Sequence, residues 1–456
     1  MISGEEYRER LKEHKKEIYV KGEKVGYDHP NVKPVVNAIA YTYDLAKEMG
    51  GVHSDLINGK VNVLNAVIKS FEQLVFRYEF QKELSHRLAT CNYRCTGCDA
   101  INSLAAGLND KGRKKLFEFL KEVQKNDLAC TASLTDSKGD RSKRPSEQKE
   151  QYVRVVDEQR DGIVVSGAKI HQSGAFASEI NFVLPGQTFK KGEEEFAVAF
   201  ALTPEDKGVS YVVQNTGYQA LQREGADAGN PKYGDRITCV VIMDEVFVPW
   251  ERVFIYKDLR ATASVLQNFA NSHRCVGAAC KAEFLASMAG AASLMLKANG
   301  LENVSVLRQK VAEIVGLSEA AFAISIGAAY KGEKVGEAYV PNAIMANSAK
   351  VAGVDSFMKA IGILTDISGA LPATSPSEED LKAEGIGEKL RTILKASEKF
   401  SPEERLKIAK FVSFWLSSSH VFGAVHGGGS PSAALIFLQY LADFERYEKP
   451  VKDILS

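Results

Sequence analysis

The sequence predicts an α+β protein in which a β domain lies between two helical regions. Apolar residues recur with helical spacing through about the first 125 residues, short β-rich runs separated by turn residues follow, and long helical segments return after residue 258. A chain of 456 residues is long enough for two or three domains. We therefore expect an N-terminal helical domain over residues 1–127, a middle β domain over 128–258 and a C-terminal helical bundle over 259–456.

The N-terminal region is expected to be entirely helical. Residues 29–46 place Pro34 near a helix start, with an apolar stripe after it. Residues 61–90 carry a second apolar face with helical spacing, and the pattern continues to residue 123.

The middle and C-terminal regions differ in the length of their segments. The predicted strands cover residues 162–170, 180–184, 196–202, 209–213, 237–243 and 246–248. The predicted long helices cover residues 262–299, 301–331, 341–366 and 402–447, a spacing that suggests an antiparallel bundle. Helices, then strands, then a bundle is the order of the acyl-CoA dehydrogenase architecture, an analogy of fold that assigns no chemistry by itself.

Composition and charge exclude several classes of function. The 58 Lys and Arg residues balance 58 Asp and Glu residues, so no bulk charge favours nucleic acid or an anionic membrane as a partner. The N-terminus is too charged for a signal peptide, and we expect no apolar run long enough to span a bilayer. Seven cysteines without a regular spacing suggest reduced thiols. The expected location is the cytoplasm.

The stretch from Thr90 to Asp99 concentrates the most unusual chemistry. It contains Cys91, Cys95 and Cys98, which would share one side if the stretch were a continuous helix. Far downstream, His273 and Cys280 are also seven residues apart. Two pairs of soft ligands on two helices that face one point predict a metal site.

Three other interpretations of these cysteines remain open from the residues alone. Buried cysteines also pack as small apolar groups, so all three could belong to the core. The C-x3-C-x2-C spacing matches radical-SAM enzymes, but here it interrupts helical sequence without the βα repeats of that barrel. A zinc ion bound by three cysteines and one histidine would use the same ligands.

The chain resembles the 4-hydroxybutyryl-CoA dehydratase/vinylacetyl-CoA isomerase family, flavoproteins related to 4-hydroxyphenylacetate 3-hydroxylases. The resemblance rests on the C-x3-C and H-x6-C pairs and on blocks such as T-D-S-K-G-D-R, H-Q-S-G, V-F-V-P-W-E-R-V-F, D-I-S-G-A-L and H-G-G-G-S-P, in family order over nearly the whole chain. It implies a [4Fe-4S] cluster held by Cys91, Cys95, His273 and Cys280. It also implies catalytic roles for His273 and for Lys281, which follows the last ligand, while Tyr93 is a further candidate.

The resemblance also implies an FAD site. In the family two blocks lie along the flavin, here Thr135, Asp136, Lys138, Gly139, Asp140 and Arg141 in the first and His171, Gln172 and Ser173 in the second. The segment with Ser368 and Gly369 resembles one that reaches the flavin of a neighbouring subunit, so a homotetramer is expected. Ser430 and Pro431 would begin a helix after a Gly-rich approach, a favourable place for a diphosphate.

Four positions depart from the family pattern. Gly277 replaces a tyrosine, Gly423 replaces a glutamate, Tyr93 replaces a glutamine, and Thr238 aligns with an acidic residue. These changes weigh against 4-hydroxybutyryl-CoA as the substrate, and they make Tyr93, Cys98 and Cys275 candidates for lining an altered pocket.

The expected function is a flavin- and [4Fe-4S]-dependent dehydratase or isomerase. It would act by radical chemistry on another hydroxyacyl-CoA or enoyl-CoA thioester. The alternatives are a reduced-flavin-dependent aromatic 3-hydroxylase and a non-catalytic paralogue that binds flavin.

Overall fold

The computed structural model describes residues 1–217 and 223–456. Within these ranges the helices are α1 Gly4–Glu13, α2 Lys33–Met49, α3 Phe71–Leu88, α4 Cys95–Gly107, α5 Asp110–Asn126, α6 Leu259–Ala298, α7 Ser305–Tyr330, α8 Ala343–Ser368, α9 Leu371–Thr374, α10 Glu378–Lys382, α11 Ile386–Leu394, α12 Pro402–Ser417, α13 His420–His426, α14 Pro431–Leu441 and α15 Phe444–Leu455. The strands are β1 Glu17–Val20, β2 Glu23–Val25, β3 Val52–Ser54, β4 Gly59–Val61, β5 Cys130–Ser133, β6 Arg154–Gln159, β7 Gly162–Ser173, β8 Ile180–Val183, β9 Val198–Leu202, β10 Val209–Val213, β11 Thr238–Pro249, β12 Val253–Tyr256, β13 Glu333–Val335 and β14 Ala338–Val340.

The predicted mixture of helices and strands is confirmed, and the middle region contains two sheets. One has six strands in the order β2-β1-β10-β11-β7-β6, and the other has four in the order β12-β9-β8-β5. The expected strands 237–243 and 246–248 form one strand, β11, with an irregularity in pairing between Met243 and Val246. Three further strands, β5, β6 and β12, were not expected from the sequence.

The expectation of a purely helical N-terminal region is wrong. Strands β1 to β4 lie within the first 61 residues, and β1 pairs in parallel with β10, Glu17 opposite Ser210. These strands have three or four residues each, too few for alternating apolar and polar positions to form a recognisable pattern. β1 and β2 therefore extend a sheet of the middle region, whereas β3 and β4 pair only with each other.

The C-terminal region matches the prediction in its first three helices but not in its last. α6, α7 and α8 lie close to the predicted segments, whereas the expected helix over residues 402–447 is divided into α12, α13, α14 and α15. Gly427, Gly428 and Gly429 separate α13 from α14, and the last two have positive φ. Because glycine adopts such conformations freely and Pro431 then begins a new helix, the chain turns here.

Three segments have the length and apolar composition of a membrane span. They are α6, α7 and residues 402–441. By length and composition alone, the expectation that no segment could span a bilayer is therefore wrong. Of the most apolar window in α6, 67% is buried inside the protein, which identifies it as a core helix. The corresponding windows of α7 and of residues 402–441 are 28% and 11% buried, and the latter segment comprises three helices.

The cysteine stretch does not form one continuous helix. α4 begins at Cys95, whereas Cys91 precedes it, and Tyr93 between them has a φ of 67°. The expectation that three sulfurs share one helix face is therefore wrong. Cys98 is fully buried on another side of α4, where its sulfur accepts a hydrogen bond from Arg77 Nε at 2.8 Å.

Gly97 allows α4 to lie directly against the backbone of β5. A Cβ atom at Gly97 would approach the carbonyl oxygen of Cys130 to 2.3 Å and its carbonyl carbon to 2.4 Å. Backbone atoms cannot rotate away as a side chain can, so any larger residue would push the helix off the strand.

We expect Gly97→Ala to lower the free energy of unfolding by about 1–3 kcal/mol, because it overpacks this contact. Gly290→Ala is a matched control, since Gly290 lies in α6 with nothing within 4 Å of its added Cβ. The control should stabilise the protein by up to about 1 kcal/mol through helix propensity. Denaturant unfolding of both variants checks this, and equal effects would contradict the close packing of α4 on β5.

Candidate functional site

One cavity brings the four predicted metal ligands together. Cys91 and Cys95 reach it from the start of α4, and His273 and Cys280 reach it from α6. On α6 the two ligands are separated by seven residues, about two helical turns, so both face the same side. The candidate catalytic residue Lys281 also lines this cavity.

The sulfur atoms interact with one another. A hydrogen bond between the Cys91 and Cys95 side chains, assisted by the charge of Arg236, lowers the pKa of Cys91 to about 7. The Tyr93 backbone N–H also donates to the Cys91 sulfur at 3.4 Å. The same bond to Cys91 raises the pKa of Cys95, and burial raises that of Cys280 to about 11. Cys91 is thus the thiol most readily ionised in the apo site.

The imidazole of His273 is held by a buried carboxylate. Its Nδ1 lies 2.8 Å from Asp99 Oδ2, and Asp99 Oδ1 lies 2.9 Å from a guanidinium nitrogen of Arg77. The Arg77 and Asp99 side chains are 3% and 1% exposed, so neither charge could persist there unpaired. A carboxylate only accepts hydrogen bonds, so Nδ1 carries a proton and Nε2 is the nitrogen left for another partner. Metal-binding histidines are oriented in this way.

Lys281 lies beside one of the positions that depart from the family pattern. Its Nζ donates to the Gly277 carbonyl at 3.2 Å, and burial lowers the pKa of this amine. A Cβ atom on Gly277 would stand 3.4 Å from Nζ. The absence of a side chain at Gly277 therefore leaves room for the Lys281 ammonium in the cavity.

The Tyr93 side chain is not part of the cavity lining, and its catalytic role stays a prediction. Its hydroxyl donates to the Asp235 carbonyl at 3.1 Å and accepts from the Ile237 N–H at 3.2 Å. The side chain is fully buried and anchors the backbone before β11. Cys98 and Cys275, expected as pocket-lining candidates, are likewise buried outside the cavity lining.

The two predicted flavin blocks lie side by side. The Thr135 carbonyl accepts from the Ile170 N–H at 2.8 Å, and Asp136 forms a 2.7 Å ion pair with Lys169. Both partners of this ion pair are 2% exposed, so the loop is fixed to β7. Within these blocks Ser173 reaches the cavity, and Gln172 is buried next to it.

The remaining flavin candidates are not part of the cavity lining. Three adopt positive φ angles, namely Lys138 at 66°, Gly139 at 47° and His171 at 63°. Asp140 and Arg141 are exposed on the same loop as Lys138 and Gly139. Burial and the neighbouring charge of Arg236 lower the pKa of His171. Lys138 and Arg141 are the basic side chains of this loop that would attract an anion such as a diphosphate.

The segment predicted to reach a second subunit lies at the end of α8, outside the cavity. Ser368 is buried, and its hydroxyl has no hydrogen-bond partner within the described chain. Gly369 follows with a φ of 61° and ends the helix.

Four residues that hold the His273 ring or add basic side chains to the cavity lining were not predicted from the sequence. Asp99 could have been found, because it lies four residues after Cys95 and therefore on the same helix face. Arg77, Arg236 and Lys350 carry no local signal, since tertiary packing alone brings them to the site.

Within residues 1–217 and 223–456, no group of three or more His, Cys, Asp or Glu side chains is gathered tightly enough to hold a single metal ion.

Family models match the chain along almost its whole length. The 4-hydroxyphenylacetate 3-hydroxylase N-terminal model matches residues 3–255, and the C-terminal model of the same family matches residues 262–456. The chain belongs to the 4-hydroxyphenylacetate 3-hydroxylase family. Within this family, a 4-hydroxybutyryl-CoA dehydratase/vinylacetyl-CoA-Δ-isomerase from Clostridium aminobutyricum is 29% identical to the chain, over 96% of each sequence. The predicted resemblance of this chain to the 4-hydroxybutyryl-CoA dehydratase family, as a divergent member, is confirmed.

Solved structures of this 4-hydroxyphenylacetate 3-hydroxylase family share the fold. An oxygen-tolerant archaeal 4-hydroxybutyryl-CoA dehydratase from N. maritimus superposes with a TM-score of 0.96 at 30% identity, over 99% of this chain and 94% of the other. The oxygenase component of 4-hydroxyphenylacetate 3-monooxygenase, solved with FAD, gives 0.87 at 23% identity, over 100% and 98%. Butyryl-CoA dehydrogenase from Megasphaera elsdenii gives 0.52 at 15% identity, over 91% and 99%, consistent with the predicted architecture.

We expect Asp99→Asn to destabilise the protein by about 3–5 kcal/mol, because it leaves the buried Arg77 without its counter-charge. Asp244→Asn is the matched control, since that residue is exposed on β11. Denaturant unfolding compares the two variants. If Asp99→Asn were as stable as the control, the Arg77–Asp99–His273 contact would not be what holds these helices together.

Proposed function

We propose that this protein is a flavin- and [4Fe-4S]-dependent dehydratase or isomerase. Its substrate would be a hydroxyacyl-CoA or enoyl-CoA thioester other than 4-hydroxybutyryl-CoA, transformed by radical chemistry. One observation carries the proposal: Cys91, Cys95, His273 and Cys280 line one cavity, and Ser173 of the flavin block lines it with them. The relatives named as 4-hydroxybutyryl-CoA dehydratases support the same class.

The donor set fits an iron–sulfur cluster. Iron–sulfur clusters are held by cysteine thiolates, and histidine replaces cysteine at some sites. Ligand thiols must be deprotonated, which the lowered pKa of Cys91 favours. His273 presents Nε2 while Asp99 fixes its ring from behind.

The FAD site is proposed from the joined blocks. The buried Asp136–Lys169 ion pair fixes the loop that carries Lys138, and His171 lies near this loop. Lys138 and Arg141 would face a diphosphate, while the Ser173 hydroxyl would lie towards the isoalloxazine ring. A structure of a relative solved with FAD supports this cofactor.

Bound in these sites, the cluster would supply a Lewis-acidic iron and the flavin a carrier of single electrons. The chain's own residues orient the substrate and manage its protons. His273 would hold the cluster, and its Nε2 is the atom of this side chain that would accept a proton as a base. Val276 and Phe284 form an apolar wall that excludes water from the cavity.

We further propose that the protein is a cytoplasmic homotetramer. Each chain would have three domains, with boundaries after residues 127 and 258. α14 and α15 expose large apolar side chains, among them Ile436, Tyr440, Ile454 and Leu455, each at least 66% exposed. Such a surface is costly in water and is typical of contacts between protein chains. The end of α8 at Ser368 and Gly369 would reach the flavin of another subunit.

The second candidate is a reduced-flavin-dependent aromatic 3-hydroxylase, which the family models favour by name. It would require oxygen and a reductase partner, and it would leave the convergence of three thiols and an imidazole unexplained. A non-catalytic paralogue, suggested by Gly277 and Gly423, would bind cofactors without turnover.

We expect protein purified without oxygen to contain about four iron atoms and four sulfides per chain. Cys280→Ser should lose most of this iron, whereas the matched variant Cys98→Ser should keep it, because Cys98 lies outside the cavity. Iron and acid-labile sulfide analysis measures both. Loss in Cys98→Ser alone would favour the C-x3-C-x2-C interpretation, and zinc in place of iron would refute the cluster.

We expect the loaded protein to convert at least one member of an anaerobic panel of hydroxyacyl-CoA and enoyl-CoA thioesters. Product analysis by mass spectrometry detects the loss or addition of water or a shifted double bond. A parallel assay in air uses a flavin reductase and phenolic substrates. Turnover only in the aerobic assay would establish the hydroxylase, and no turnover in either would leave the non-catalytic paralogue.

A further inference from the structure

The cavity is lined by four basic side chains and, among the described residues, by no carboxylate. They are Arg236, Arg274, Lys281 and Lys350. Burial and neighbouring charges lower the pKa of Lys350 to about 6, and burial lowers the pKa of Lys281, so the two guanidinium groups are the firm positive charges. Uncompensated positive charge in a partly buried cavity is costly unless a ligand supplies the opposite charge.

Two of these basic side chains, Lys350 and Arg274, donate their hydrogen bonds to acceptors of the protein itself. Lys350 Nζ donates to the carbonyls of Val425 and Gly427, both at 2.7 Å, and so caps the end of α13. The Arg274 guanidinium donates to the Gly428 carbonyl at 3.1 Å and to the side chain of Asn347. Both are structural and need no ligand.

The other two basic side chains use few of their donors. Among the described residues, Arg236 donates to the Ser173 hydroxyl at 3.0 Å and Lys281 donates to the Gly277 carbonyl at 3.2 Å. A guanidinium has five N–H donors. Within the described part of the chain, most donors of Arg236 are therefore left for a ligand in the cavity.

Gly423 is what lets Arg236 occupy this place. A Cβ atom at Gly423 would lie 2.8 Å from Arg236 Cδ and 3.0 Å from its Nε. Any side chain at this position would make the flexible Arg236 side chain shift, and an acidic one would pair with the shifted guanidinium. The absence of a side chain at Gly423 and the position of the Arg236 guanidinium thus depend on each other. Gly277 beside Lys281 is a second place where a glycine adjoins a basic side chain.

We infer that Arg236, supported by Lys281, binds a second carboxylate at the far end of the substrate's acyl chain. The inference rests on the proposed function and narrows its substrate class to thioesters of dicarboxylic acids. A planar guanidinium pairs with a carboxylate through two parallel hydrogen bonds, which a neutral acyl terminus cannot make. This charge distinguishes the substrate from 4-hydroxybutyryl-CoA, whose acyl chain ends in a hydroxyl.

The test compares two non-reacting thioesters that share CoA and chain length, glutaryl-CoA and valeryl-CoA. Dissociation constants are measured calorimetrically on the protein purified without oxygen, with iron and flavin content recorded. The variants are Arg236→Gln and Gly423→Glu, the latter placing a carboxylate against the Arg236 side chain. Arg160→Gln, on an exposed turn, is the control.

We expect the wild type and the control to prefer glutaryl-CoA by about 10- to 100-fold, as charge-assisted hydrogen bonds allow. Both cavity variants should lose this preference while they retain affinity for valeryl-CoA and normal iron and flavin content. Gly423→Glu keeps the test decisive if Arg236→Gln does not fold.

Equal affinities in the wild type, a preference that survives the variants, or no binding of either thioester would overturn the inference. Loss of flavin or iron in Arg236→Gln would overturn it too, since the guanidinium would then serve a cofactor phosphate or the cluster. A preference for glutaryl-CoA in protein that turns over no thioester would refute the proposed function alone. Turnover of neutral acyl thioesters without any carboxylate preference would refute the inference alone.

Discussion

A buried contact between three helices holds the candidate site together. Arg77 on α3 pairs with Asp99 on α4, and Asp99 in turn holds the ring of His273 on α6. Because both charges are almost fully buried, each depends on the other, and the helices that carry them cannot separate without leaving a charge unpaired. This contact fixes α6 at His273. Cys280 lies about two helical turns further along α6 and therefore faces the same cavity as the thiols of Cys91 and Cys95.

The same contact explains why the cavity has two chemically different ends. Towards α4 it offers thiols and an imidazole, which suit a soft metal centre. Towards β7 and β11 it offers Ser173 and Arg236, which suit a flavin ring and an anion. The departure at Gly423 belongs to the second end, beside Arg236, whereas Gly277 lies on α6 between His273 and Cys280.

The sequence predicted the mixture of helices and sheets and the four side chains that share one cavity, because both depend on residue types and spacing. The spacing of His273 and Cys280 survives in a long helix, so their shared face could be foreseen. Cys91 and Cys95 were expected on one helix, but a positive φ at Tyr93 breaks the segment, and tertiary contacts of its hydroxyl fix that conformation. Arg236 could not be foreseen, because its role depends on Ser173 and on the space at Gly423, residues far apart in the chain.

The measurement that tests the account most directly is electron–nuclear double resonance on the reduced protein, prepared with ¹⁵N-labelled histidine. The account predicts a four-iron cluster in which one iron is strongly coupled to a single histidine nitrogen. The coupling should disappear in His273→Ala and persist in His420→Ala. A cluster with sulfur ligands alone, or an unchanged nitrogen coupling in His273→Ala, would contradict the convergence of α4 and α6 on one metal centre.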